Sequence, residues 1–240
     1  MSWPALQGHH YPGHCRTFQG SLAPQPGAAP GAEFLYETRL FPELAYTFKH
    51  ALTQEVAYGS FLLERRQALH ARIVEALEAL DRERLADQVE RLAYHAFQGT
   101  VWPKAVTYLR QAGAKAFTHS AYREAVGYWT QTLEALAHLP PDRTTMEQVV
   151  DVRCDLNVAL RPLAQWKQML THLRDAEPLA EGLADQQRLG LVYSLLANTL
   201  RNRQDYEPAR VYCQRAHALA TACGDVALQR EVHQELGVLY

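Results

Sequence analysis

The chain has 240 residues, 48% apolar and 21% charged, with 24 Lys and Arg against 26 Asp and Glu for a formal net charge of −2. So even a balance argues against nucleic-acid or membrane-surface binding, both of which need a concentrated basic field. No apolar run is long enough to span a bilayer, and no basic start followed by an apolar core opens the chain, so a cytoplasmic location is expected.

Residues 1–32 differ from all that follows. Pro4, Pro12, Pro24, Pro26 and Pro30 alternate with glycines, and Arg16 is the only charged side chain. Such a stretch buries too little apolar surface to offset its chain entropy, so a disordered tail is expected. His9, His10, His14 and Cys15 lie in it without a frame to hold a metal, and no metal site is expected. Cys15, Cys154, Cys213 and Cys223 show no CxxC pair and no disulfide-framework spacing, which fits reduced thiols, with Cys154 and Cys213 acting as small helix-borne hydrophobes.

Residues 33–82 open with a period of two. Phe34, Leu35 and Tyr36 form a β-prone run, and Leu44, Tyr46 and Phe48 alternate with Ala45, Thr47 and Lys49 around a Pro42-containing loop. This predicts a β-hairpin, followed by one helix from Ala51 to about Leu63 and a second carrying Leu69, Ile73, Leu77 and Leu80 on one face.

Residues 83–240 read as helix after helix. Leu85–Gln98 is stopped by Gly99; Thr100 is expected to cap the next helix, with Pro103 in its first turn; and Ala121–His138 ends at Pro140-Pro141. Helices follow over 146–161, 166–182, 186–201, 205–222 and 226–240, with Asp205 as an N-cap and a kink or early end at Pro178. In the last third one pattern recurs every 40 residues: Leu156, Leu196 and Leu236; Leu160, Leu200 and Tyr240; Met169 and Ala209; Leu173 and Cys213; Ala176 and Ala216. Two amphipathic segments per fixed period predict an all-α solenoid of helical hairpins. The final helix lacks a second helix to cover its apolar stripe, so an excerpt of a longer protein, or self-association there, is expected.

Residues 233–240, His-Gln-Glu-Leu-Gly-Val-Leu-Tyr, resemble the first-helix Leu-Gly-x-x-Tyr signature of tetratricopeptide repeats, with Tyr193, Leu196 and Ala197 one period earlier. Ala209, Cys213 and Ala216 stand where the second helix of that repeat carries Ala, an aromatic and Ala. Gly113, Ala125 and Trp129 fit an upstream unit, with Thr132 where Ala is usual. Tyr46-Thr-Phe-Lys-His50-Ala-Leu52 and Leu63-Glu-Arg-Arg-Gln-Ala-Leu-His70 resemble the end of the winged-helix domain of STAND-type signalling ATPases and the stretch joining it to repeats. The run from Glu33 to about Ala184 is similar to bacterial proteins that place a class III nucleotide cyclase first, then an AAA/STAND ATPase, then such repeats. The resemblance implies that His50 is the residue that senses the nucleotide β-phosphate where an ATPase domain is present, although Ala51 replaces the usual Asp. No GxxxxGK[S/T] loop occurs in the chain, so no nucleotide or other cofactor is expected to bind it alone.

No nucleophile elbow, HExxH or paired-carboxylate constellation appears, and no catalytic residue is expected. His70, His95, His119, His138, His172, His217 and His233 fall singly along helices and read as surface or boundary residues. The expected working surface is the concave face lined by the first helix of each pair. Arg161 and Arg201 share one position a period apart, Asn198 and Asn202 adjoin Arg201, and Ser194 lies a turn earlier. Repeated Arg and Asn there suit the carboxylates or backbone of a protein or peptide partner; alternatively, the two arginines only favour helix ends. The expected function is a non-catalytic repeat module for protein–protein recognition or autoinhibition beside a cognate ATPase/cyclase domain. An independent peptide-binding scaffold, or the regulatory part of a nucleotide-dependent enzyme, stands as the alternative.

Overall fold

A computed structural model describes residues 35–39, 45–48, 62–80 and 85–239. The chain divides into two compact units, Met1–Arg66 and Gln67–Tyr240. The division falls within the helix Leu63–Leu80, upstream of the 82/83 boundary expected from the sequence. The expected tail over 1–32, the helix from Ala51 and His50 lie outside the described residues.

In the first unit, β1 (Leu35–Arg39) pairs antiparallel with β2 (Ala45–Phe48). Leu35 lies opposite Phe48 and Glu37 opposite Tyr46, with a register irregularity between Glu37 and Arg39.

From Leu63 onward the described chain is helical. The helices are α1 (Leu63–Leu80), α2 (Val89–Gln98), α3 (Trp102–Thr118), α4 (Tyr122–Ala137), α5 (Arg143–Leu160), α6 (Trp166–Gly182), α7 (Gln186–Asn202), α8 (Tyr206–Cys223) and α9 (Val226–Leu239), with a short 3₁₀ turn at Leu85–Gln88 before α2. From α2 onward consecutive helices pack against one another, most extensively α7 with α8, α3 with α4 and α2 with α3. The 40-residue period appears in the packing itself, because the alternation of buried and exposed positions over 171–180 repeats residue for residue over 211–220. This is a helical-repeat, solenoid-like architecture.

All the turns from α2 to α9 but the one between α4 and α5 share one geometry. Thr100, Ser120, Ala164, Ala184, Gln204 and Gly224 all have positive φ, between 52° and 68°. After each, the next amide reaches back to a carbonyl five residues earlier: Val101 to Ala96, Ala121 to Ala116, Gln165 to Leu160, Asp185 to Ala180, Asp205 to Leu200 and Asp225 to Ala220. A left-handed residue followed by this long backward bond is the Schellman closure, which satisfies the free carbonyls of a helix end while reversing the chain. Five of the six positions carry a side chain, where glycine would be unstrained.

Three local expectations change. Thr100 is the left-handed turn residue, and Val101 stands at the N-cap of α3 without a side-chain bond. Asp205 occupies the N-cap of α8, but its carboxylate caps no amide and faces Arg203 at 3.4 Å. The Asp142, Asp185 and Asp225 carboxylates do cap, accepting from the amides of Thr145, Arg188 and Leu228. The helix does not end early at Pro178 but runs on to Gly182 as one element, with the proline on its exposed side and Ala176 and Ala180 buried. Packing of that buried side outweighs one lost hydrogen bond.

Two apolar cores meet at α5. Val152, Leu156 and Leu160 join Leu92, Leu109, Trp129 and Leu136 on one side, whereas Val150 and Cys154 join Leu173, Val192, Leu196 and Cys213 on the other. Cys154 and Cys213 are buried free thiols, and burial followed by the neighbouring Asp155 and Asp151 charges pushes Cys154 up to about 12. Both act as small apolar groups.

Candidate interaction face on the first helices

Helices α3, α5, α7 and α9 are the first members of their pairs, and two grooves open among them. The first, of ≈ 440 Å³, lies between α3 and α5. Arg110, Ala114 and Phe117 line it from α3, Asp155 and Val158 from α5, and Trp129 reaches it from α4. The indole passes α3 at Gly113, where a Cβ would stand only 2.4 Å from the Trp129 Nε1. Only glycine allows that approach. Trp129 is 5% exposed and stacks at a tilt on Phe117, 5.9 Å between ring centres. Arg110 faces Asp155 at 3.8 Å, too long for a hydrogen bond. Burial, only partly offset by Arg110, raises the Asp155 pKa above the usual carboxylate value.

The second groove, of ≈ 650 Å³, is lined by Asp151 of α5, Arg188 and Leu191 of α7, and Leu228, Arg230 and Gln234 of α9. Its fixed feature is Arg188. Nε and Nη2 donate to the two Asp151 oxygens at 2.8 and 3.2 Å, and Nη1 donates to Asp185 at 2.6 Å. The hydrogen bonds that Arg188 donates to Asp151 lead the causes that raise the Arg188 pKa. Burial tends to raise the Asp185 carboxyl, but the Arg188 amide and guanidinium together hold it below its ordinary value. This fork ties the start of α7 to the middle of α5.

The residues expected to bind a partner gather elsewhere. Arg161 is the C-cap of α5 and exposed, and Arg201 lies in the last turn of α7. Each carbonyl accepts the amide of the following left-handed residue, Ala164 or Gln204, so the two positions are equivalent. Both cations sit where a helix C-terminus favours positive charge. Asn202 donates to the Asn198 carbonyl and amide oxygens at 2.7 and 3.0 Å, so these two residues engage each other. Ser194 is 2% exposed and lines no open face. The reason is the crowding of α7, which packs against α5, α6, α8 and α9 and buries more than one side. None of the five lines either groove.

One histidine departs from the surface or boundary position expected of it. His70 of α1 is 6% exposed, and its Nδ1 lies 2.7 Å from Nδ1 of His95 on α2. One ring donates and the other accepts, so both cannot carry the Nδ1 proton. Burial, then the His70 and Arg91 charges, lowers the His95 pKa to about 4. A second latch holds the other end of α1, where Lys104 and Tyr108 of α3 each donate to Glu78 at 2.6 Å. Burial and the Glu78 contact push Tyr108 up to about 12. These contacts dock α1 onto the repeat array. Among the described residues no cluster of three or more His, Cys, Asp or Glu is placed to hold a metal, and no helix is long and apolar enough to cross a membrane.

Sequence reading overlooked the grooves because Arg110, Phe117 and Asp155 belong to no repeated position of the 40-residue pattern. The signal available was Gly113 in mid-helix, a residue disfavoured there unless something packs against it.

Among solved structures the chain is similar to BtubC (BKLC) from P. vanneervenii, with 19% identity, a TM-score of 0.49, and coverage of 75% of this chain and 84% of that one. No family model and no curated protein matches the chain.

Proposed function

We propose that the chain is a tetratricopeptide-like repeat module that recognises a protein or peptide partner through its first-helix face. It serves no turnover of its own and works in the cytoplasm, next to an ATPase/cyclase domain of a signalling protein. The β1–β2 hairpin is the remnant of a winged helix in this reading. The supporting observation is the succession of helical hairpins, α3–α4, α5–α6 and α7–α8, each closed by the same left-handed turn, with grooves among the first helices α3, α5, α7 and α9. Such arrays commonly bind extended segments along that surface.

Peptides selected from a displayed random library against the full chain test this reading. Hydrogen exchange of the complex should gain protection on α3, α5, α7 and α9. Protection confined to α4, α6 and α8, or saturable ATP turnover by the purified chain, overturns it.

A further inference from the structure

Three cations stand on α3, Lys104, Arg110 and Lys115, and the helix has no acidic residue. Lys104 is held by Glu78 at 2.6 Å and Lys115 by Glu90 at 2.9 Å. Arg110 is different: its nearest carboxylate, Asp155, is 3.8 Å away, and its guanidinium makes no hydrogen bond among the described residues. A guanidinium offers five donors in a flat fork suited to a carboxylate.

Trp129 supplies a second unspent donor. Its side chain is 95% buried by its 5% exposure, yet the indole N–H has no hydrogen-bond partner among the described residues. The nitrogen is also not fully enclosed, which leaves it open where the ring lines the groove. Buried indole N–H groups ordinarily find an acceptor. Around these donors the floor is apolar, built from Phe117, Trp129 and Val158. The groove also has a structural origin: the backbones of α5 and α7, and of α7 and α9, approach closely, whereas α3 and α5 do not. Aromatic rings occupy that wider gap.

We propose that the α3–α5 groove takes a peptide segment of a partner protein in which an acidic residue adjoins a large apolar one. The carboxylate pairs with Arg110, the apolar side chain lies on Phe117 and Trp129, and a backbone carbonyl accepts from the indole N–H. A basic segment fits worse, because Arg110 repels it and the indole edge is the positive end of the ring quadrupole. Asp155 acts as an internal competitor, holding Arg110 loosely until a better acceptor arrives. This proposal rests on the repeat-module reading and names the subsite and ligand chemistry within it.

The test uses fluorescein-labelled nonapeptides with Gly-Ser flanks around a central Glu-Trp, Lys-Trp or Glu-Ser pair, titrated against the full chain by anisotropy. The Glu-Trp peptide should bind tightest. Arg110→Gln should weaken it about tenfold, the scale of a charge-assisted hydrogen bond, and Asp155→Asn should tighten it by a few-fold. Far-UV circular dichroism checks that both variants fold, and the opposite signs of the two exposed-side changes separate binding from general damage. Equal affinity for the three peptides, or an Arg110→Gln variant that binds as the parent does, overturns the subsite. If library-selected peptides bind and Arg201→Glu weakens them while Arg110→Gln does not, the module reading stands and this proposal falls. If no peptide binds at all, both fall.

Discussion

Gly113→Ala probes the contact on which the first groove is built. An added Cβ would sit 2.4 Å from Nε1, 2.6 Å from Cδ1 and 2.8 Å from Cε2 of Trp129. Carbon contacts settle near 3.5–4.0 Å, so the ring or the helix must move by about 1 Å. Swinging the indole into water exposes roughly 150–250 Å² of apolar surface, or ~4–6 kcal/mol at about 25 cal/mol per Å². Straining the helix pair instead costs up to ~3 kcal/mol, so strain is the cheaper route. Replacing a mid-helix glycine returns about 1 kcal/mol, leaving a net destabilisation of ~2 kcal/mol. Gly127→Ala is the matched control, since a Cβ in the middle of α4 meets nothing within 4 Å. It should stabilise by about 1 kcal/mol, so one chemical change in two neighbouring helices has opposite signs. Urea unfolding followed by far-UV circular dichroism reads the difference. Repeat arrays can unfold in parts, so hydrogen exchange in α3 and α4 supplies the local measure. If both alanines stabilise, Trp129 does not cross α3 at Gly113 and the groove floor is drawn wrongly.

Ala184→Gly should raise stability by ~0.5–1 kcal/mol and Gly224→Ala should lower it by ~1 kcal/mol, because both positions have positive φ; thermal melts of the two variants check the pair. His95 titrates near 4 when folded against an ordinary value of 6.5. The unfolded chain therefore takes up the extra proton in that interval. The contribution of His95 is complete above about pH 6.5 and is lost as pH falls towards 4; a series of urea midpoints should show this slope, reduced in His95→Gln. Arg188→Lys keeps the charge but loses the fork on Asp151 and should cost ~1 kcal/mol, measured by the same melts. Asn157 is fully buried, donates to Thr199 at 3.2 Å and leaves its Oδ1 without a partner. Replacing both groups together, Asn157→Leu with Thr199→Val, should therefore leave stability within about 1 kcal/mol of the parent, whereas Thr199→Val alone should destabilise by ~1–3 kcal/mol.

The helices were legible because apolar residues at helical spacing report one buried face, and the same residues, Leu156, Leu160, Leu173, Leu196 and Leu200, are the ones found buried. Their ends were read less well where a side chain was asked to decide. Thr100 looks like a cap by residue type, yet the chain uses it as the turn, since a turn closed by backbone bonds accepts almost any residue that tolerates positive φ. The burial of Ser194 went unread for a different cause. Ser194 shares its helix with Asn198 and Asn202, but the periodicity of one helix shows a single buried stripe and not how many neighbours surround it. The His70–His95 contact joins residues 25 apart on separate helices, beyond any local pattern.

The same distinction explains where the sequence repeat seemed to weaken. From Leu173 to Cys213 is 40 residues, as it is from Met169 to Ala209 and from Ala176 to Ala216. From Trp129 to Leu173 the interval is four residues longer, and Ala125 to Met169, Thr132 to Ala176 and Leu136 to Ala180 share that extension. Every one of these positions is buried. The extra residues lie in the connection from α4 to α5, through Leu139, Pro140 and Pro141 to the capping Asp142. All other described turns from α2 to α9 use the left-handed closure, and this one does not. Thr132 thus occupies the position of Ala176 and Ala216, its hydroxyl donated within its own helix to the Tyr128 carbonyl at 2.9 Å, which satisfies the one polar group that alanine would lack. Gly113 falls in the place of Asn157 and Ala197, so the pair with the largest second-helix residue, Trp129, has the smallest residue facing it. The longer connection and this exchange of volume occur together, on the two sides of the α3–α5 gap. The one turn of different length thus accompanies the wide α3–α5 gap, and the residue that fills the floor of that groove could reach there only past a glycine.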